Sequence, residues 1–187
     1  MTRRDLPNII SVLRLLIVIP VIYMLLRENY RMALVLFAVA GISDALDGYI
    51  AKRYGWTSRV GSILDPVADK TLLVSTYVTL GILDHLPVWL VIAVILRDLV
   101  IFTGALAYHF LIGKYELSPS LMSKINTFAQ IVLALAVVMS VDVFQIPREY
   151  IQMMIYTVLA TTLISGVDYM WSWGYQAVRS RSGKYYG

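Results

Sequence analysis

Apolar residues fall in six long runs, at positions 9–26, 32–51, 60–83, 87–112, 121–141 and 150–173. Each run holds 18 to 26 residues, close to the ~20 that an α-helix needs to cross a hydrocarbon core. The breaks between them are short and polar. Arg27-Glu28-Asn29-Tyr30-Arg31 is the first, residues 52–59 the second, and Asp84-His85-Leu86-Pro87 the third; residues 113–120 and 142–148 complete the series. The pattern predicts an all-α integral membrane protein with six transmembrane helices. Runs of this length leave no room for a sizeable second domain, so residues 1–187 are expected to form a single membrane-embedded domain.

Composition agrees. The chain is 59% hydrophobic and 15% charged, and its mean hydropathy is +0.71. The absence of cysteine rules out disulfides and thiolate metal sites. Two histidines, His85 and His109, make a poor basis for a zinc site. Scattered loop charges do not make the basic stripe that nucleic-acid binding needs. The start, Arg3-Arg4 before an apolar run, resembles a secretory leader, but the run is long and no small-residue cleavage site follows, so it reads as a retained first span. Ten Lys/Arg residues lie in the even-numbered connections and at the two ends, against three (Arg27, Arg31, Arg148) in the odd-numbered ones. The positive-inside rule then puts both ends in the cytoplasm, here the cytoplasmic side of a bacterial inner membrane. Trp171, Trp173 and Tyr175 suit the aromatic belt at that interface. The tail from Arg179 is expected to be a mobile basic end at the lipid surface.

Within this apolar background, Asp44, Asp47, Asp65 and Asp69 stand in one stretch of 26 residues. The first two are three residues apart and the second two four apart, so on helices each pair shares a face. Carboxylates inside a membrane span are rare and usually functional, and each costs roughly 2.5–3.5 kcal/mol at the span centre. Asp44 precedes Lys52 by eight residues, about 12 Å along a helix. Both pairs therefore lie toward the cytoplasmic end, where they can face each other. An oxygen-only, hard ligand set suits Mg²⁺, with Mn²⁺ a second choice, and four carboxylates can hold two such ions. Two metal ions can clamp a phosphoryl group for displacement. Gly48 and Gly61 leave room for a diphosphate against the backbone. Lys52, Arg53 and Arg59 border the site with positive charge. The competing reading makes these aspartates helix caps or partners of Lys52, Arg53 and Lys70.

The spacing Asp44-x2-Asp47-Gly48-x2-Ala51-Lys52-x8-Gly61-x3-Asp65-x3-Asp69 resembles the signature of the CDP-alcohol phosphatidyltransferase family. One departure is Lys52, where the family usually has Arg; the charge stays but the bidentate fork is lost. The resemblance implies that family's six-helix fold, a homodimer, a two-Mg²⁺ site and a CDP-activated lipid donor. It implies that Asp44, Asp47, Asp65 and Asp69 hold metal and that Asp69 is also the base taking the acceptor's proton. CDP-diacylglycerol contacts are expected from Asp47, Gly48, Ala51, Lys52, Arg53, Gly61 and Ser62.

The resemblance extends beyond the signature. Pro7-Asn8-Ile9-Ile10-Ser11-Val12-Leu13-Arg14 is similar to the opening shared by phosphatidylglycerophosphate synthases and CMP-forming cardiolipin synthases. There Asn8 and Arg14 would contact the donor, against a plain helix cap and a snorkelling arginine. Arg97-Asp98 and Ser123-Lys124-Ile125-Asn126-Thr127 resemble the cardiolipin branch, whereas Ser165-Gly166-Val167-Asp168-Tyr169 also suits the other. Arg59, Arg97 and Lys124 are candidate acceptor contacts; for Arg97 and Lys124 the alternative is an interhelical salt bridge. Arg97 and Asp98 are adjacent, point to different helix faces, and are therefore not expected to be a simple pair. The implied reaction joins CDP-diacylglycerol to phosphatidylglycerol, giving cardiolipin and CMP, in contact with membrane lipids. The rival acceptor is glycerol 3-phosphate. A cation transporter or channel is a rival of another class, but it predicts acidic residues through the full membrane depth.

Overall fold

The computed structural model describes the backbone of residues 6–54, 61–111 and 120–182, and the side chains of residues 12–43, 68, 70–104 and 120–170. Among the described residues there are six helices and no strand: α1 (Leu6–Leu26), α2 (Tyr30–Tyr54), α3 (Gly61–Ile82), α4 (Val88–Leu111), α5 (Leu121–Asp142) and α6 (Arg148–Ser182). Every apolar run is helical, and the ends agree within three residues except at the last. There α6 continues to Ser182, so Arg179 and Arg181 are helical where a mobile tail was expected. Residues 174–182 contain no proline, so nothing in the sequence interrupts the hydrogen-bond ladder once the apolar run has ended.

Two helix–helix turns end in the same device. The Asn29 N–H bonds the Met24 carbonyl and the Glu28 N–H bonds the Leu25 carbonyl, both at 2.9 Å. The His85 N–H bonds the Leu80 carbonyl at 2.9 Å and the Asp84 N–H bonds the Gly81 carbonyl at 3.3 Å. These are Schellman closures, which need a left-handed residue just past the helix. Glu28 (φ 57°) and Asp84 (φ 58°) supply it. Asn29 then starts α2, its Oδ1 accepting the Met32 N–H at 3.2 Å. Ser120 caps α5 likewise, its Oγ accepting the Ser123 N–H at 3.2 Å.

The chain divides into two compact units. The first comprises residues 1–87 and 134–146, hence α1, α2, α3 and the end of α5. In it α1 packs against both α2 and α3, burying Val21, Leu25, Ala33, Ala40, Tyr77 and Leu80. At the start of α2, Tyr30 Oη lies 2.7 Å from His85 Nε2. Arg31 pairs with Asp142 at 3.1 Å, but both are well exposed, so the pair adds little.

The second unit comprises residues 88–133 and 147–187. There α4 packs against α6, and Trp89 stacks on Tyr156 with ring centroids 6.5 Å apart. Two helices among the described residues, Leu121–Asp142 and Arg148–Met170, are long and apolar enough to cross a membrane. Phe128 is 69% exposed, and Ile82, Met153, Val167 and Met170 are similarly bare. Large apolar side chains spread this widely over helix surfaces suit a lipid solvent and would be costly in water.

Candidate active site

The backbone places both carboxylate pairs on helices. The helix α2 runs unbroken from Tyr30 to Tyr54, so Asp44 and Asp47 stand three residues apart along one continuous helix, a little under one turn. Gly48, Ala51, Lys52 and Arg53 follow on the same helix. The helix α3 opens with Gly61 and Ser62, and Asp65 and Asp69 stand one turn apart within its first nine residues. The pairs therefore occupy the two helix ends that flank the connection at 55–60. Both helices share α1 as a packing partner, and α1 carries Asn8 and Arg14. The side chains of Asn8, Asp44, Asp47, Lys52, Arg53, Ser62, Asp65 and Asp69, and all of Arg59, lie outside the described residues. Among the described residues no group of three acidic or histidine side chains could hold a metal.

Arg14 is 1% exposed, the largest fully buried side chain described. A snorkelling arginine would reach the surface, so that alternative fails. Arg14 stands on α1, the helix that packs against both carboxylate-bearing helices.

The other sequence-selected cation, Arg97, lies on α4 in the second unit and is 6% exposed. Its Nη1 donates to Asp98 Oδ1 at 2.7 Å. This corrects the expectation that adjacent residues on different faces do not pair. The arginine stem is long enough to bring its guanidinium round to the neighbouring carboxylate, and burial favours closing the pair. Nη2 donates to Ser123 Oγ on α5 at 2.8 Å and to Ser165 Oγ on α6. Arg97 thus makes interhelical bonds to hydroxyls, while its salt bridge stays within α4. Gly166 sits beside the stem, where a Cβ would meet Arg97 Cγ at an ordinary 3.9 Å. Lys124 is exposed and has no ion pair among the described residues.

One turn along α5 from Ser123, Asn126 is fully buried. Its Oδ1 accepts the hydroxyls of Thr161 and Thr162 on α6, each at 2.9 Å. The Ser120 N–H meets Tyr169 Oη at 3.4 Å. Ser123, Asn126, Thr161, Thr162 and Ser165 thus form a polar seam with Arg97 in an otherwise apolar unit. Arg97 Nε and Asn126 Nδ2 are buried with no hydrogen-bond partner among the described residues. Sequence reasoning singled out Ser123, Asn126 and Ser165 only as parts of similar segments and passed over the threonines. A usable signal was present: Ser123/Asn126 and Thr162/Ser165 are each three apart, the spacing of one helix face.

The family model described as CDP-alcohol phosphatidyltransferase matches residues 4–165. The chain belongs to this family. The match contains both carboxylate pairs and the seam that joins α4, α5 and α6. Among family relatives, "Cardiolipin synthase (CMP-forming)" of Rattus norvegicus is 31% identical over 195 residues, covering 95% of this chain and 64% of that protein. The Homo sapiens protein of the same name is 34% identical over 146 residues, covering 70% of this chain and 48% of that protein. A "Probable phosphatidylglycerophosphate synthase" of Mycobacterium tuberculosis (strain ATCC 25618 / H37Rv) is 31% identical over 174 residues, covering 89% of this chain and 80% of that protein. The chain thus spans between 48% and 64% of the length of these two cardiolipin synthases. As a phosphatidyltransferase family member, the protein is a transferase.

Proposed function

We propose that this chain transfers a phosphatidyl group from CDP-diacylglycerol to phosphatidylglycerol, giving cardiolipin and CMP. The observation that carries the chemistry is the pair of carboxylate pairs on the ends of α2 and α3 that flank the connection at 55–60, inside the segment matched by the family model. The acceptor reading rests on similarity to relatives named cardiolipin synthase.

Four carboxylates are a fitting donor set for hard divalent cations. Asp44, Asp47, Asp65 and Asp69 would hold two Mg²⁺ (Mn²⁺ would also suit), which would neutralise the donor's diphosphate and polarise its phosphorus. The chain's own groups do the rest. Gly48 and Gly61 leave space beside the helices, while Ala51, Ser62, Lys52 and Arg53, with Asn8 and Arg14 from α1, orient the nucleotide and diphosphate. Asp69 takes the proton from the acceptor hydroxyl. The hydroxyl oxygen then forms a bond to the phosphatidyl phosphorus, the bond from that phosphorus to the CMP oxygen breaks, and CMP leaves with the electron pair. Arg59, Arg97 and Lys124 are the candidate contacts to the acceptor's phosphate. Holding the reactants in line and neutralising charge supply most of the rate. All six helices cross the membrane in this reading, with the site and both ends of the chain on the cytoplasmic side of a bacterial inner membrane. Two copies form a homodimer.

A second acceptor, glycerol 3-phosphate, is favoured by one observation. The mycobacterial relative named as a probable phosphatidylglycerophosphate synthase is matched over 80% of its length, more than either cardiolipin synthase. The deciding experiment gives purified protein CDP-diacylglycerol with phosphatidylglycerol or with glycerol 3-phosphate and identifies the lipid product. Cardiolipin and CMP are expected with phosphatidylglycerol, only when a divalent cation is present, and not from Asp69→Asn. Product from glycerol 3-phosphate alone would replace the acceptor. Chelator-resistant turnover would remove the two-metal reading, and turnover by Asp69→Asn would remove the base.

A further inference from the structure

Two described contacts set the register of the first three helices. The turn from α1 to α2 is closed by backbone bonds, so Leu26 and Tyr30 mark one common end. Tyr30 Oη lies 2.7 Å from His85 Nε2, which brings the end of α3 to the same place. Positions can then be counted from that end at about 1.5 Å per residue. Arg14 stands about 18 Å along α1, Asp69 about 20 Å along α3 and Asp44 about 21 Å along α2. These three share one level. Asp47 and Asp65 are each about 26 Å from that end, roughly one turn further on.

The stripe of α1 that carries Arg14 is also fixed. Arg14, Val18, Val21 and Leu25 recur at helical spacing and are all buried, whereas Leu16 and Ile19 are exposed. Val21 and Leu25 meet Ala33 and Phe37 of α2 and Thr76 of α3 around one small cavity. The stripe therefore faces α2 and α3. Asp44 is four residues beyond the buried Ala40 on α2, and Asp69 is seven before the buried Thr76 on α3. Lys70, on the same level, is only half-buried, which leaves Arg14 as the fully buried cation among the described residues of this unit. A buried guanidinium needs anionic partners. Glu28, Asp84 and Asp142 lie near the opposite helix ends, and Asp5 precedes α1.

We propose that Arg14 is a positioning residue, the fixed counter-cation of the carboxylate centre: it pairs with Asp44 and Asp69 and holds them ready for the metal ions. The role rests on the two-metal reading above. Arg14 then serves the donor through these carboxylates and not by direct contact.

The test uses the full chain, purified in detergent, and reads the thermal midpoint first in chelator and then in Mg²⁺, with no substrate present. It compares the unaltered protein with Arg14→Gln, Arg14→Lys, and Arg14→Gln combined with Asp44→Asn or with Asp69→Asn. In chelator, Arg14→Gln is expected to lower the midpoint, Arg14→Lys to lower it less, and at least one double change to recover most of the loss. Mg²⁺ is expected to raise the midpoint of Arg14→Gln more than that of the unaltered protein, because the ions replace the missing charge. With saturating Mg²⁺, the KM of Arg14→Gln for CDP-diacylglycerol is expected to stay within about threefold while kcat falls at least tenfold. A midpoint of Arg14→Gln in chelator equal to that of the unaltered protein would overturn the proposal. So would double variants that recover nothing. A tenfold rise in donor KM with an unaltered response to Mg²⁺ would make Arg14 a direct donor contact instead. Should Arg14→Gln not fold, the double variants decide: folded doubles support the pairing, and doubles that fail alike overturn it. An unaltered protein whose midpoint ignores Mg²⁺ would sink the two-metal reading and this role with it, an outcome seen before any variant is compared.

Discussion

Glu28 and Asp84 each hold a left-handed backbone at the end of a helix. For a residue with a Cβ that conformation costs roughly 1–2 kcal/mol, and glycine escapes it. Both residues close their helices through backbone bonds alone, so the side chain is not needed for the turn. Glu28→Gly is therefore expected to raise stability by about 1 kcal/mol, measured as a higher thermal midpoint in detergent; an unchanged or lower midpoint would mean that the carboxylate has a role the turn does not explain. At the same scale, the sequence identified which ionisable residues matter better than it identified their partners. Arg97 and Arg14 stand out as charges in apolar runs, which is visible one residue at a time. That Arg97 curls onto its own neighbour and reaches two serines on other helices depends on the rotamer and on what packs beside it.

Helices were the most legible level. An apolar run of about 20 residues bounded by charges has few solutions but a helix, because a backbone in lipid must satisfy its own hydrogen bonds. Five of the six helices end within three residues of the expected limits. The sixth overruns, because hydropathy marks where apolar side chains stop and not where the backbone ladder stops. Contacts between helices are where periodicity falls short. Asn126 on α5 holds two threonines of α6 with one oxygen. Thr161 also bonds its own helix at the Thr157 and Val158 carbonyls, whereas for Thr162 the Asn126 oxygen is the bond described. Interhelical side-chain bonds in membranes are worth about 0.6 kcal/mol on average and up to roughly 1–2. Asn126→Ala, which leaves the Thr162 hydroxyl buried without its acceptor, is expected near the upper end, a loss of about 1–2 kcal/mol. Denaturant titration in detergent measures it, and a loss near zero would show that the seam does not hold α5 to α6.

For the molecule as a whole, the charge asymmetry of the connections makes a prediction that the absence of cysteine renders easy to test. Single cysteines at Ser118 and Gln145 bracket α5. An impermeant maleimide added to the outside of intact cells is expected to label Gln145→Cys and spare Ser118→Cys, because the odd-numbered connections carry three Lys/Arg against ten in the even-numbered connections and at the two ends. Labelling of both from one side would mean that α5 does not cross. The sequence by itself determined six helices, the two carboxylate pairs at one-turn spacing, and a family signature with the chemistry it implies. All of these depend on short-range facts: 1.5 Å of rise per residue, about 100° of turn, and the cost of a charge in hydrocarbon. Only the tertiary structure decided that Arg14 is buried, that Arg97 pairs with Asp98 and is tied to Ser123 and Ser165, and that Lys124 remains exposed. Those outcomes depend on how far each helix is rotated and tilted against its neighbours. That is set by the sum of many weak packing contacts, which no local pattern in the chain encodes.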